Sequence, residues 1–258
     1  MDQEDKNIHT CAGVEGIGMN QVNYQLELDK ILDRISDQHK QGGTDQVPTL
    51  FLHSCCAPCS SYVLEYLAPF FAITVFYYNP NISELEEYRH RVTEQKRLIE
   101  RYNREGKGYK IEVIEGDYRP ASFYEAVKGY EDCPEGGERC FHCYEMRLRE
   151  TAMQAEKRNM DYFGTTLTIS PLKNAAKLNE IGYVIEAEFD DAKRKLRWLP
   201  SDFKKRGGYQ RSIALSKEYD LYRQDFCGCS FSKYEKMKKK ALQSNSDKAA
   251  DSSMPVGR

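Results

Sequence analysis

No stretch of the chain is apolar for long enough to cross a bilayer. The longest run, Leu67–Tyr78, is about a dozen residues against the ~18 that a spanning helix requires. The opening Met-Asp-Gln-Glu-Asp-Lys has neither the basic nor the apolar region of a secretory signal. There is no Walker-A pattern and no GxGxxG turn, so ATP or dinucleotide binding has no support. No internal repeat stands out. Net charge is only −2, so the average points to no polyanionic partner. Together these absences exclude a membrane-spanning protein, argue against a secreted one and leave the cytoplasm as the expected location.

What is present is a globular composition, 40% hydrophobic and 30% charged, in 258 residues, enough for one large domain with a real core. The near-neutral average conceals a segregation. Between Lys193 and Lys240 stand fifteen Lys/Arg against five Asp/Glu, which leaves the rest of the chain acidic. A basic third on an acidic body suits a polyanion such as RNA, because phosphate contacts need clustered cations. The plainer alternative is a solvated, lysine-rich helix face around Lys236–Lys240.

Residues 1–20 show no sustained period and read as a disordered leader. Residues 21–242 read as a single α/β catalytic domain, with 193–240 its basic RNA-facing segment, and the Ser-, Asp- and Lys-rich 243–258 as a disordered tail. Apolar periodicity predicts helices over Tyr24–Ile35, Ser60–Leu67, Ser83–Tyr102 and Met146–Lys157. Strands are predicted over Thr49–His53, Phe70–Tyr78, Tyr109–Ile114 and Tyr162–Leu167. Strands alternating with helices imply an α/β fold, a mostly parallel sheet flanked by helices, with a helical and loop-rich C-terminal part. Beyond Gly182 the pattern fades, and Lys193–Gly208, with Pro200 and two glycines, is expected as a long functional loop.

Nine cysteines are many for a chain expected in a reducing compartment, where clustering signals metal or redox chemistry. Cys55, Cys56 and Cys59 follow the first strand and open a helix, at the carboxyl edge where open α/β sheets place their sites. A helix N-terminus favours thiolate, so these sulfurs suit ligation or nucleophilic attack. Spacing alone does not choose Cys56 over Cys59. Cys140 and Cys143 form a CxxC that could complete a four-thiolate site with the first group. Cys227-Gly-Cys229 is a CxC pair, either redox-active or ligating a second metal, since the glycine permits the tight geometry. Seven clustered cysteines exceed one structural zinc site, and the surplus favours redox chemistry. Cys11 and Cys133 have no partner at motif spacing and receive no role. His53, ending an apolar strand, reads as a hydrogen-bonded core histidine, and His142 as an exposed residue between ligands.

Asp117 follows the third strand and should stand at the same end of the sheet as Cys55, either as metal ligand and proton donor or as a plain turn cap. Thr165–Asn174 is a hydroxyl-rich turn with Lys173, able to hold a phosphate or simply to cap a helix. In the basic segment Lys204, Lys205, Arg206 and Arg211 interleave with Trp198, Phe203 and Tyr209, the mixture that neutralises phosphates and stacks single-stranded bases.

Four stretches, LHSCCAPCSS (52–61), PEGGERCFHCYEMRL (134–148), FGTTLTISPLKN (163–174) and PSDFKKRGGYQRSIALSKEYDLYRQDFCGC (200–229), resemble the QueH family of epoxyqueuosine reductases. The resemblance spans about Thr49 to Ser232. It implies a fold similar to the adenine-nucleotide α-hydrolase-like layer proteins and reduction of the epoxide of epoxyqueuosine at the tRNA wobble position, the last step of queuosine synthesis. It also implies a [4Fe–4S] cluster on Cys55, Cys56, Cys140 and Cys143, a redox-active pair of Cys227 and Cys229, and an external electron donor. An additional metal ion beside the cluster could recruit Cys59 and Asp117. Two other classes share parts of the pattern: a cluster-dependent tRNA sulfur-transfer enzyme, which should use ATP and lacks its motif here, and a non-catalytic zinc-stabilised RNA-binding module.

Overall fold

The structure, a computed structural model, describes residues 22–40, 47–191 and 194–251. The expected leader, with Cys11, lies outside the described residues, as do Lys193 and the end of the expected tail. Helix α1 (Tyr24–Lys40) leads into a repeating strand–helix order: β1 (Thr49–His53), α2 (Ala57–Leu67), β2 (Ala72–Tyr77), α3 (Leu85–Glu105), β3 (Glu112–Glu115), α4 (Pro120–Ala126), α5 (Glu138–Lys157) and β4 (Tyr162–Thr165). Helix α6 (Ala175–Glu188), a short antiparallel pair β5 (Asp190–Asp191) and β6 (Arg194–Lys195), β7 (Arg197–Trp198), α7 (Gly208–Glu218) and α8 (Ser230–Asp251) complete it.

Five strands form one parallel sheet in the order β3-β2-β1-β4-β7. Its centre is β1, where Leu52 pairs with Val75 on one side and Gly164 on the other. A central parallel strand is covered on both faces, hence the uninterrupted apolar Leu-Phe-Leu of β1. Leu50 and Leu52 pack with α1, α2, α3 and α7 residues such as Leu28, Leu64, Leu98 and Leu215. Phe51 points to the opposite layer, with Leu148 and Ala152 of α5 and Leu178 and Ile185 of α6. All are essentially inaccessible, and burying each large apolar side chain contributes roughly 1.5–3 kcal/mol. These contacts fix the position of β1 and therefore of the cysteines that follow it.

Three boundaries depart from the sequence reading. Helix α5 begins at Glu138, not near Met146, so Cys140 and Cys143 ride on its first two turns. Gly137 is its N-cap, and the Cys-Phe-His-Cys opening has too little periodic signal to reveal it. The expected long loop 193–208 contributes instead to the core within its described part: Leu196, Trp198, Leu199 and Phe203 are all buried, and β7 extends the sheet. The Trp198 indole stacks edge-on against Phe163 and donates to Asn179, so neither Trp198 nor Phe203 is available to stack a base. Finally, α8 continues to Asp251, into the stretch expected as tail.

Candidate metal and redox site

The chain reverses its direction of travel across the sheet between β1 and β4, and the crevice outside the carboxyl ends of two such strands is where open α/β folds bind ligands. Cys55 follows β1 there, and its backbone N–H meets Thr166 Oγ1 beyond β4 at 3.4 Å. Cys56, extended at φ −174°, is the N-cap of α2, and Pro58 fits the first turn because no N–H is needed there. This turn gathers the Cys55, Cys56 and Cys59 sulfurs within 4.8 Å of one another. Contacts from the Cys55 and Cys59 thiols hold Cys56 well below the usual thiol range, and contacts with Cys55 and Cys56 push Cys59 well above it. One thiolate braced by two thiols is a ready soft-metal donor set.

The second group comes from α5. Gly136 adopts φ +90°, a conformation that favours glycine, and this turns its N–H onto Cys140 Sγ at 3.2 Å. Cys143 is buried, and burial pushes its thiol up to about 12. One turn further, Arg147 is 1% exposed and donates to Cys143 Sγ at 3.9 Å, His53 Nε2 at 3.2 Å and Asn79 Oδ1. Burial, then the guanidinium, holds His53 down at about 3, so its ring is neutral at neutral pH. His53 meets Thr165 Oγ1 at 2.9 Å, the core histidine that the sequence favoured. His142 packs on Tyr130 instead of joining the sulfurs.

Cys227-Gly-Cys229 arrives from the far end of the chain. Gly228 takes φ +118°, its carbonyl accepts from Ser83 N–H at 3.0 Å, and the Cys227 carbonyl accepts from Arg91 at 3.1 Å. The pair therefore sits in a clamped turn, both members as thiols. They face different ways. Cys227 lines a cavity of about 400 Å³, 3.2 Å from Lys173 Nζ, whereas Cys229 is buried beside Cys143, Phe123 and Val127. Lys173 is itself buried and its ammonium also meets Glu135 at 3.4 Å. Burial disfavours that charge, but the Cys227 sulfur and its neighbours outweigh burial and keep Lys173 protonated.

The same cavity is lined by Cys55, Cys56, Cys59 and Arg147, with Tyr209, Arg223, Lys236 and Lys239 toward its basic side. Cys140 and Cys143 do not line it; Cys143 packs with Cys229 and is reached by Arg147, which does. Soft donors from three segments fit a bound metal–sulfur group.

Other expected site residues lie elsewhere. Asp117 is exposed beyond the edge strand β3 and does not line the cavity. Asn174 caps α6 through the Lys177 N–H, the plainer of the two readings for that turn, while Lys173 turns inward to the thiols. Lys204 is half-buried on the Thr168 carbonyl, Lys205 is exposed, Arg206 pairs with Asp29, and Arg211 grips Glu65 with contacts of 2.8 and 2.6 Å. Of the three aromatics expected beside RNA, Tyr209 alone faces the cavity. The sequence reading passed over Arg91, Glu135 and Arg147, although the last two lie inside the CxxC stretch.

The family model described as epoxyqueuosine reductase QueH matches residues 50–235, which takes in all three cysteine groups. The chain belongs to the QueH family. Curated relatives named epoxyqueuosine reductase QueH include one from Staphylococcus epidermidis, 40% identical over 211 residues, which cover 81% of this chain and 85% of that protein. One from Streptococcus pyogenes is 37% identical, covering 81% and 79%, and one from Thermotoga maritima is 36% identical, covering 75% and 94%. The matched segment contains the four thiols that line the cavity as well as Cys140, Cys143 and Cys229.

Proposed function

We propose that the chain reduces epoxyqueuosine in tRNA to queuosine, with a [4Fe–4S] cluster held by Cys55, Cys56, Cys140 and Cys143 and with Cys227 and Cys229 as a redox pair. The observation that carries this reading is that thiols from the first and third segments line one cavity, while Cys143 of the second packs on Cys229 and meets the cavity-lining Arg147. When bound, the cluster supplies single electrons from the external donor. Cys59 stands close enough to Cys55 and Cys56 to serve a second metal ion.

The reaction converts an epoxide to an alkene and water, and it consumes two electrons and two protons. A dithiol that closes to a disulfide releases two of each. In this reading Cys227, which lines the cavity, meets the substrate first, and Cys229, two positions on and buried, turns toward it to close the bond. Lys173, 3.2 Å from the Cys227 sulfur and fully protonated, is the nearest proton donor for the departing oxygen. The surrounding apolar Leu167, Ile169 and Phe226 limit water at this end of the cavity. The base enters past Tyr209, and the phosphates meet Arg223, Lys236 and Lys239 at the mouth. A tRNA substrate and a reducing surrounding both accord with the cytoplasm.

The test is iron, acid-labile sulfide and zinc on one anaerobic sample, followed by turnover of epoxyqueuosine-containing tRNA. About four iron and four sulfide per chain, with reduction of the epoxide, supports the assignment. Zinc without sulfide identifies a zinc-stabilised binding module instead.

A further inference from the structure

Arg147 is the most deeply buried cation of the described residues that has no carboxylate partner. Its side chain is 1% exposed, and no ion pair to Asp or Glu forms among the described residues. Every other strongly buried guanidinium is paired: Arg91 with Glu87 and Arg139 with Glu235. The guanidinium partners of Arg147 are a neutral imidazole, an amide oxygen and a thiol. A buried charge that no opposite charge compensates is strongly disfavoured, and hydrogen bonds to neutral groups offset only part of that. The compensating negative charge must therefore come from what Arg147 faces. It faces Cys143 on its own helix, Cys55 across the sheet end, and the cavity.

We propose that Arg147 is the built-in counter-cation of an anionic metal–thiolate centre held between the β1 turn and α5. It is a positioning residue, acting through the centre and not on the substrate. The inference rests on the metal reading given above. A centre with thiolate ligands is net negative and grows more negative when it accepts an electron. A fixed positive charge in a low-dielectric wall favours the reduced form and raises the potential. The fork of Arg147 also ties the two cysteine-bearing segments together, through Cys143 on one side and through His53, two residues before Cys55, on the other.

The experiment uses anaerobically prepared, metal-loaded protein: wild type, Arg147→Gln and Arg147→Lys, each checked for native far-ultraviolet circular dichroism. Iron release to a ferrous chelator and the midpoint potential are measured on all three. The expected result is release about tenfold faster and a more negative potential in the Gln variant, with the Lys variant closer to wild type because it keeps the charge. After metal stripping, the Gln variant should resist urea at least as well as wild type, since the lone charge is gone. A purely structural arginine would instead make the stripped variant weaker. If the Gln variant does not fold, the Lys variant decides: a wild-type potential supports the proposal and a lowered one overturns it. Equal release rates and potentials in wild type and the Gln variant overturn the proposal while leaving the metal reading intact. A wild-type protein without iron and sulfide overturns both.

Discussion

Adjacent glycines open α5, and the structure assigns them different duties. Gly136 holds φ +90°, and a Cβ there would meet nothing within 4 Å, so an alanine would be strained by its backbone alone. Such a conformation costs an L-residue roughly 1–3 kcal/mol. Replacing glycine also removes freedom from the unfolded chain, worth about 0.4–1 kcal/mol in the opposite direction. The net expectation for Gly136→Ala is a loss of about 1–2 kcal/mol, which for a domain of this size lowers Tm by roughly 2–8 °C. Gly137 sits at φ −90°, ψ −162°, an ordinary extended conformation, and its added Cβ would lie 3.3 Å from the Pro134 carbonyl. At this N-cap alanine ranks well below glycine and its Cβ contact is tight, while the entropic gain offsets part of the loss, so Gly137→Ala should lose no more than about 1 kcal/mol and keep its iron. The two variants should also separate in iron content. Gly136 donates the N–H that meets Cys140 Sγ at 3.2 Å, and relaxing its φ withdraws that donor from the sulfur. Thermal unfolding of the metal-free proteins and iron retention in the loaded proteins measure the two effects independently. Equal Tm values and equal iron for both variants would refute the reasoning and remove Gly136 from the architecture of the site.

Cys140→Ser and Cys143→Ser should each lose most iron, since a hydroxyl is a poor replacement for a thiolate, whereas Cys227→Ser and Cys229→Ser should keep iron and lose multiple-turnover reduction. Comparable iron loss in all four would make the CxC pair ligands. Trp198→Phe keeps the stacking on Phe163 but deletes the hydrogen bond to Asn179, so urea unfolding should show a loss of about 1 kcal/mol, with tRNA affinity unchanged. Weakened tRNA binding in a variant of normal stability would put the indole back at the RNA. For the basic mouth, Lys239→Ala should flatten the salt dependence of tRNA binding by about 0.7–0.9 log–log units, one lost phosphate contact, and Lys236→Ala should add less because Lys236 is already paired with Asp225. Combined neutralisation of Lys204, Lys205 and Arg206 should flatten it less, because none of the three lines the cavity and two of them are engaged by protein partners. The reverse ranking would return the RNA site to the 204–211 segment.

Much of this molecule was legible in one dimension because its decisive signals are local. The alternation of apolar runs with amphipathic stretches fixed an α/β fold, since a strand buried on both faces must read as Leu-Phe-Leu, and a helix covering it must repeat every three to four residues. The spacing of Cys56-Ala-Pro-Cys59, Cys140-Phe-His-Cys143 and Cys227-Gly-Cys229 announced thiol chemistry because ligands on one turn need short intervals. Tertiary structure alone decided the rest. Whether Trp198 and Phe203 meet RNA or the core depends on which layer covers them, and α6 and α2 lie there. Lys173 could cap a helix for phosphate or serve a sulfur; the choice falls to Cys227, 54 residues away in sequence and 3.2 Å away in space. Arg147 shows the same limit most plainly. An arginine in an amphipathic helix looks like any solvated cation until packing closes water off from it, and the significance of its charge lies in the carboxylate that no element among the described residues provides. Burial and pairing are properties of distant segments brought together, so the local pattern that sets the elements cannot encode them.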